Sequence, residues 1–224
     1  MIPQKALASS VGSKFLIALT GLLLVFFLVA HLGGNLLFLA GPDAFNHYAH
    51  ALTSNPLILG AEAGLLAAFV LHIVKTARMF VSNLRARPER YATRKWARTK
   101  NDRSRKTWAS TTMILTGTLT LLFVVTHLMT FKFGAYYRTP EGIRDLYRLQ
   151  TEVFSNPVSV VFYLACMTVI LFHLWHGIAS ATQSLGIDSP QWTPRIVWVS
   201  RLLAVAITTG FALLPIITWV MGRN

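Results

Sequence analysis

Long stretches of this chain carry no charged side chain: residues 15–40, 107–131, 157–183 and 202–221 have none. At ~1.5 Å of rise per residue, each is long enough as a helix to cross ~30 Å of hydrocarbon. A fifth apolar stretch, 57–80, is interrupted by Glu62 toward one end and by Lys75, with Arg78, toward the other, where side chains can reach the interface. The pattern predicts an all-α polytopic membrane protein. It has five transmembrane helices at about 14–40, 57–80, 107–131, 157–183 and 195–221, forming one integral domain over residues 1–224 with a loop at 81–106.

Composition agrees and adds an orientation. The chain is 54% hydrophobic yet holds 21 Lys+Arg against 8 Asp+Glu, a combination foreign to both soluble globules and disordered tails. Twelve Lys/Arg fall between Lys75 and Lys106, whereas the connection between the first two spans has none. The 132–156 connection has four, offset by Glu141, Asp145 and Glu152. The positive-inside rule therefore places the 81–106 loop and the N-terminus in the cytoplasm and the C-terminus outside. Beside two spans, such a basic run suits anionic lipid and a docked soluble subunit rather than nucleic acid.

The single cysteine, Cys166, lies inside a span, which excludes disulfides, thiolate zinc sites and cysteine-ligated iron–sulfur clusters within one chain. No C-x-x-C-H is present, so covalent c-type haem is excluded too. The first span is too long for a secretory h-region and lacks a convincing A-x-A site; it is expected to stay in the mature protein.

Two segments align without a gap. Thr20-Gly-Leu-Leu-Leu-Val-Phe-Phe-Leu-Val-Ala-His31-Leu matches Thr116-Gly-Thr-Leu-Thr-Leu-Leu-Phe-Val-Val-Thr-His127-Leu at Thr-Gly, one Leu, one Phe, one Val and His-Leu. The second and fourth spans open with Ser54-Asn55-Pro56 and Ser155-Asn156-Pro157, and sixteen residues beyond each proline is a histidine, His72 and His173. The chain thus reads as two parallel helical hairpins plus a fifth helix, an arrangement that places sites between the halves.

Depth sorts the four histidines. Along ideal helices His31 is ~26 Å from Lys14 and His127 ~30 Å from Lys106, but His72 is only ~5–9 Å from Lys75 and Arg78, and His173 ~15 Å from Gln183. This gives an outer pair, His31 with His127, and an inner pair, His72 with His173. An imidazole in hydrocarbon needs a designated partner. Two at one depth on different helices suit a noncovalent haem iron held from both faces, an electron-carrying centre with no open position. Zinc would want a fuller cage, and no Cys or carboxylate lies at either depth. Core histidines bonded to helix carbonyls or hydroxyls are the plain alternative. Gly33, Gly34, Gly21 and Gly117 suit close approach of a macrocycle or a neighbouring backbone.

The chain resembles the cytochrome b membrane subunit of succinate dehydrogenase and fumarate reductase, in the version where one five-helix polypeptide holds two haems. The resemblance is carried by Ser9-Ser-Val-Gly-Ser-Lys14 leading to Thr20-Gly, by His31-Leu-Gly-Gly-Asn-Leu and by Phe45-Asn-His-Tyr-Ala-His50. It continues in Leu71-His72-Ile, Asn83 with Ala86-Arg-Pro-Glu-Arg-Tyr91, and Phe172-His-Leu-Trp-His-Gly177. It implies two haem b groups, the outer ligated by His31 and His127 and the inner by His72 and His173. A ligand histidine followed four residues later by glycine favours His173 over His176, as does the repeat.

Further expectations follow from the same resemblance. Lys75 and His176, each three residues beyond an inner ligand, are candidates for the haem propionates, with Arg78 and Arg201 in the same class. The resemblance implies separate flavoprotein and iron–sulfur subunits, menaquinone or another quinone as membrane partner, a bacterial cytoplasmic membrane, and room for a dimer of complexes. Glu62, the one acid inside a span, is the candidate quinone carboxylate. Where some fumarate reductases carry a glutamate two residues before the inner histidine, this chain has Leu171, so a proton path through that group is not expected. His47 and His50 read as residues of an outer loop whose one charged side chain is Asp43. Two other functions stay open: a dihaem anchor for another dehydrogenase, and a transporter or scaffold without haem.

Overall fold

The computed structural model describes residues 9–86 and 108–222, all but the extreme ends and most of the basic 81–106 loop. The expectations for that loop, and Arg87 to Tyr91 of the family-like stretch, lie outside the described residues. Five helices are long and apolar enough to cross a membrane: α1 (Ser10–Leu36, continued by a 3-10 turn to Ala40), α3 (Leu57–Arg85), α5 (Met113–Phe131), α7 (Pro157–Ser184) and α8 (Thr193–Met221). The second span thus stays helical past residue 80, and the first begins at Ser10, where the Ser9 hydroxyl accepts the Gly12 amide at 3.0 Å. A single turn, α4 (Trp108–Thr111), precedes α5.

Two short helices stand outside the spans. They are α2 (Pro42–Ser54) and α6 (Leu146–Ser155), where sequence patterning gives only loops. His47 and His50 are therefore helical, not loop, residues. α2 starts on Gly41, whose φ of 100° suits only glycine, with Pro42 at the position where a missing N–H is harmless. In α6, Leu146, Leu149, Val153 and Phe154 fall on one helical face, and Leu149 and Phe154 are buried.

The duplication extends to these connections. Span, outer helix, Asn-Pro and span recur in the same order. The Asn55 carboxamide accepts the Leu57 amide at 2.9 Å, and the Asn156 carboxamide accepts the Val158 amide at 2.9 Å, so both copies cap the next span alike.

α7 is the central helix. It packs along α8, α5 and α1, and Met167, Ile170, Leu174 and Ile178 form one core with Val25 of α1 and Ala204 and Ile207 of α8. Ala204 is fully buried where α7 and α8 meet. α3 lies against α1, while among the described residues α1 makes no extended contact with α5, nor α3 with α7. The outward faces are apolar: Phe26, Leu59 and Val161 are 72%, 71% and 66% exposed, as lipid contact requires.

At the outer end the two copies are locked together. Asn46 of α2, 2% exposed, donates from Nδ2 to Asp145 Oδ1 at 2.8 Å and accepts the Tyr147 amide on its Oδ1 at 3.0 Å. Asp145 also accepts the Arg148 amide at 3.0 Å, so one residue from each copy caps α6. Beneath, the Phe38 and Tyr147 rings stack at 4.3 Å and Phe45 meets Phe38 edge-on at 5.8 Å.

Candidate haem site: two histidine pairs

The outer pair comes together. The rings of His31 on α1 and His127 on α5 stand 5.9 Å apart, their planes crossing at 84°. With metal–imidazole bonds of ~2 Å on each side, two rings on opposite faces of one metal ion have centres roughly 6 Å apart. A separation of that size would admit one ion between the rings. Because α1 and α5 do not pack on each other, the two rings meet across the bundle rather than along a helix seam.

Aromatic side chains wall this pair. Phe27 stacks on His31 at 5.2 Å, Phe211 lies 5.6 Å from it, and Phe123 and Phe131 flank His127 at 5.6 and 5.2 Å. His127 Nδ1 is buried with no hydrogen-bond partner. Asn35 spends its amide on the His31 carbonyl at 2.8 Å and stands 3.4 Å from the ring's Nδ1, too long to satisfy it well.

Each inner histidine is seated by the preceding span. His72 Nδ1 is 3.2 Å from both Thr20 Oγ1 and the Ile17 carbonyl. A carbonyl only accepts, so Nδ1 carries the proton and Nε2 the free lone pair. The Thr20 hydroxyl gives its hydrogen to the Leu16 carbonyl at 2.7 Å and accepts from His72. In the second copy His173 Nδ1 lies 3.3 Å from Thr116 Oγ1, whose hydrogen goes to the Thr112 or Met113 carbonyl at 3.1 or 3.2 Å. Both threonines are buried.

The adjoining glycines have a steric reason. A Cβ on Gly21 would stand 3.1 Å from His72 Cε1, and one on Gly117 would stand 3.2 Å from His173 Cε1. The duplicated Thr-Gly step is thus a socket for the histidine of the following span: what comes close is an imidazole, where the sequence reading offered a macrocycle or a neighbouring backbone. Gly34 is explained by Tyr48, whose ring a Cβ would approach to 2.7 Å, while Gly33 faces open space.

The remaining candidates are more dispersed. Lys75 and His176 are half-buried, three residues beyond His72 and His173; Arg78 and Arg201 are exposed, and the Arg201 guanidinium lies over the Trp175 ring at 5.2 Å. The Glu62 carboxylate pairs with Lys132 Nζ at 2.6 Å, both about half exposed, tying the outer end of α3 to the residue after α5. His47 is exposed and donates from Nδ1 to the Asp43 carbonyl at 2.8 Å. His50 lines a cleft of about 330 Å³ with Thr53, Tyr136, Arg138 and Arg144. Among the described residues no three His, Cys, Asp or Glu side chains converge on one point.

Sequence reasoning did not assign the hydroxyls of Thr20 and Thr116, or Asn46 and Asp145. The first two were signalled by recurrence of Thr-Gly in both copies; nothing local signals the second two, which meet across 99 residues.

No family model and no solved structure matches the chain. Among curated proteins, it is 24% identical over 185 residues to the protein named succinate dehydrogenase cytochrome b558 subunit of Bacillus subtilis (strain 168), covering 81% of this chain and 83% of that protein. Over most of both lengths the five-span chain is therefore similar to a protein named as the cytochrome b subunit of a succinate dehydrogenase.

Proposed function

We propose that the chain is the cytochrome b membrane subunit of a succinate:quinone oxidoreductase and holds two haem b groups. The observation that carries this reading is the pairing of His31 with His127 at 5.9 Å across the bundle, repeated in sequence by His72 and His173 on their Thr-Gly sockets. Bound there, haem would supply one-electron transfer.

The residues of the chain supply binding and insulation. His31 and His127 hold the outer group and His72 and His173 the inner one, while Phe27, Phe123, Phe131 and Phe211 keep water from the outer imidazoles. Lys75 and His176 would hold the propionates of the inner group. Glu62, at the outer end of α3, exchanges a proton with quinone, a role in which Lys132 holds its carboxylate ready.

With the N-terminus and the basic 81–106 segment inside, that segment is the docking face for an iron–sulfur subunit carrying a flavoprotein, in a bacterial cytoplasmic membrane. Affinity purification on this chain from haem-replete cells tests the reading. It is expected to bring down a flavoprotein and an iron–sulfur protein, with succinate-dependent quinone reduction in the pool. Copurification of a formate- or hydrogen-oxidising enzyme, or colourless folded chain, overturns it.

A further inference from the structure

Four ligand candidates serve two pairs, but their outer nitrogens are treated differently. His127 Nδ1 has no partner, and His31 has only a long contact to Asn35. The inner histidines each place Nδ1 against the hydroxyl of a threonine on the span before, at 3.2 and 3.3 Å, with a glycine next to that threonine admitting the ring. The two copies reach this arrangement with 52 and 57 residues between the partners. Its duplication makes a packing accident a poor explanation.

The tautomer is the consequence. Each threonine hydrogen is directed to a carbonyl of its own helix: Leu16 for Thr20, Thr112 or Met113 for Thr116. The hydroxyl oxygen is left as an acceptor, so Nδ1 keeps its proton and Nε2 its lone pair. An Nδ1–H that donates to a fixed acceptor also makes the opposite nitrogen a stronger donor to metal, as outer partners of ligating histidines do.

We propose that Thr20 and Thr116 are the positioning residues of the inner haem pair, fixing the tautomer and ring orientation of His72 and His173 and tuning the centre they hold. The assignment rests on the cytochrome b reading. It also predicts an inequality: His72 keeps the Ile17 carbonyl at 3.2 Å if Thr20 is lost, whereas among the described residues His173 Nδ1 has Thr116 as its one polar partner.

The test is an optical redox titration of the intact complex carrying Thr20→Val, Thr116→Val, or either residue changed to Ser, with the outer centre as internal reference. Valine keeps the shape and removes the acceptor. A weaker imidazole stabilises ferric iron less, so the inner potential is expected to rise, more for Thr116→Val than for Thr20→Val, with the outer potential unmoved. Haem affinity at the inner site is expected to fall ~10–100-fold. Serine is expected to restore both. If a valine variant loses the inner haem altogether, recovery in the serine variant upholds the proposal and failure to recover overturns it. Wild-type potential and affinity in both valine variants also overturn it while leaving the cytochrome reading intact. A wild-type chain without b haem removes that reading, and this assignment with it.

Discussion

Each inner histidine is held by a hydroxyl on one side and by the absence of a methyl on the other. A Cβ at Gly21 or Gly117 needs the imidazole to give by a few tenths of an ångström, because 3.1 and 3.2 Å are shorter than ordinary carbon contacts. Gly21→Ala and Gly117→Ala are therefore expected to weaken haem binding at the inner centre by about 1–3 kcal/mol, the usual cost of overpacking, and to spare the outer one. Haem content resolved by redox titration checks this; equal loss from both centres would show that the glycines serve general helix packing. Asn46 presents a different residue-scale case. It satisfies Asp145 and the Tyr147 amide while almost wholly buried. Asn46→Ala leaves those groups short of a partner and is expected to destabilise the outer end by about 1–3 kcal/mol, read as a lower unfolding midpoint in detergent.

Among the elements, the spans were legible and the outer helices were not, for physical reasons. A span must satisfy its own backbone in hydrocarbon and shed charge, so its signature is local. The same logic exposed His31, His72, His127 and His173, since an imidazole in an apolar run stands out, and His72 and His173 recur sixteen residues after an Asn-Pro cap. α2 and α6 are short and of mixed polarity, and what stabilises them, Asn46 on Asp145 and Phe38 on Tyr147, joins residues about a hundred positions apart. The hydroxyl contacts of Thr20 and Thr116 are non-local in the same sense. On α6 the Glu152 carboxylate accepts hydrogen bonds from Tyr137 and from Arg148 Nε, the latter at 3.0 Å, and these hold its pKa below the ordinary carboxylate value. A depressed folded pKa gives a contribution that is full above the unfolded carboxylate value of ~4.3 and lost as pH falls through the folded one. Hydrogen-exchange protection of α6 is accordingly expected to decline in acid below that value, and Glu152→Gln to flatten the decline; an unchanged profile in the variant would exclude this carboxylate as its source.

For the molecule as a whole, the duplicated hairpins put like sites on like elements, with α7 as the shared wall and α8 closing one side. Charge is divided across the membrane, with twelve Lys/Arg between Lys75 and Lys106. A docking face of this sign binds its partner less well as salt screens it. Release of the soluble subunits is thus expected to rise with ionic strength, and neutralising Arg94, Lys95, Arg98 and Lys100 together is expected to promote release at low salt; sedimentation of membranes with bound subunits measures both. Salt-independent retention would move the docking face elsewhere on the chain.

The central claim is that the four histidines work in two pairs, and haem counted per chain with redox difference spectroscopy tests it most directly. The purified wild-type complex is expected to show two b haems, with His127→Ala or His31→Ala removing the same one and His72→Ala or His173→Ala removing the other. Two haems surviving any of these substitutions, or His31→Ala and His127→Ala removing different centres, would contradict it.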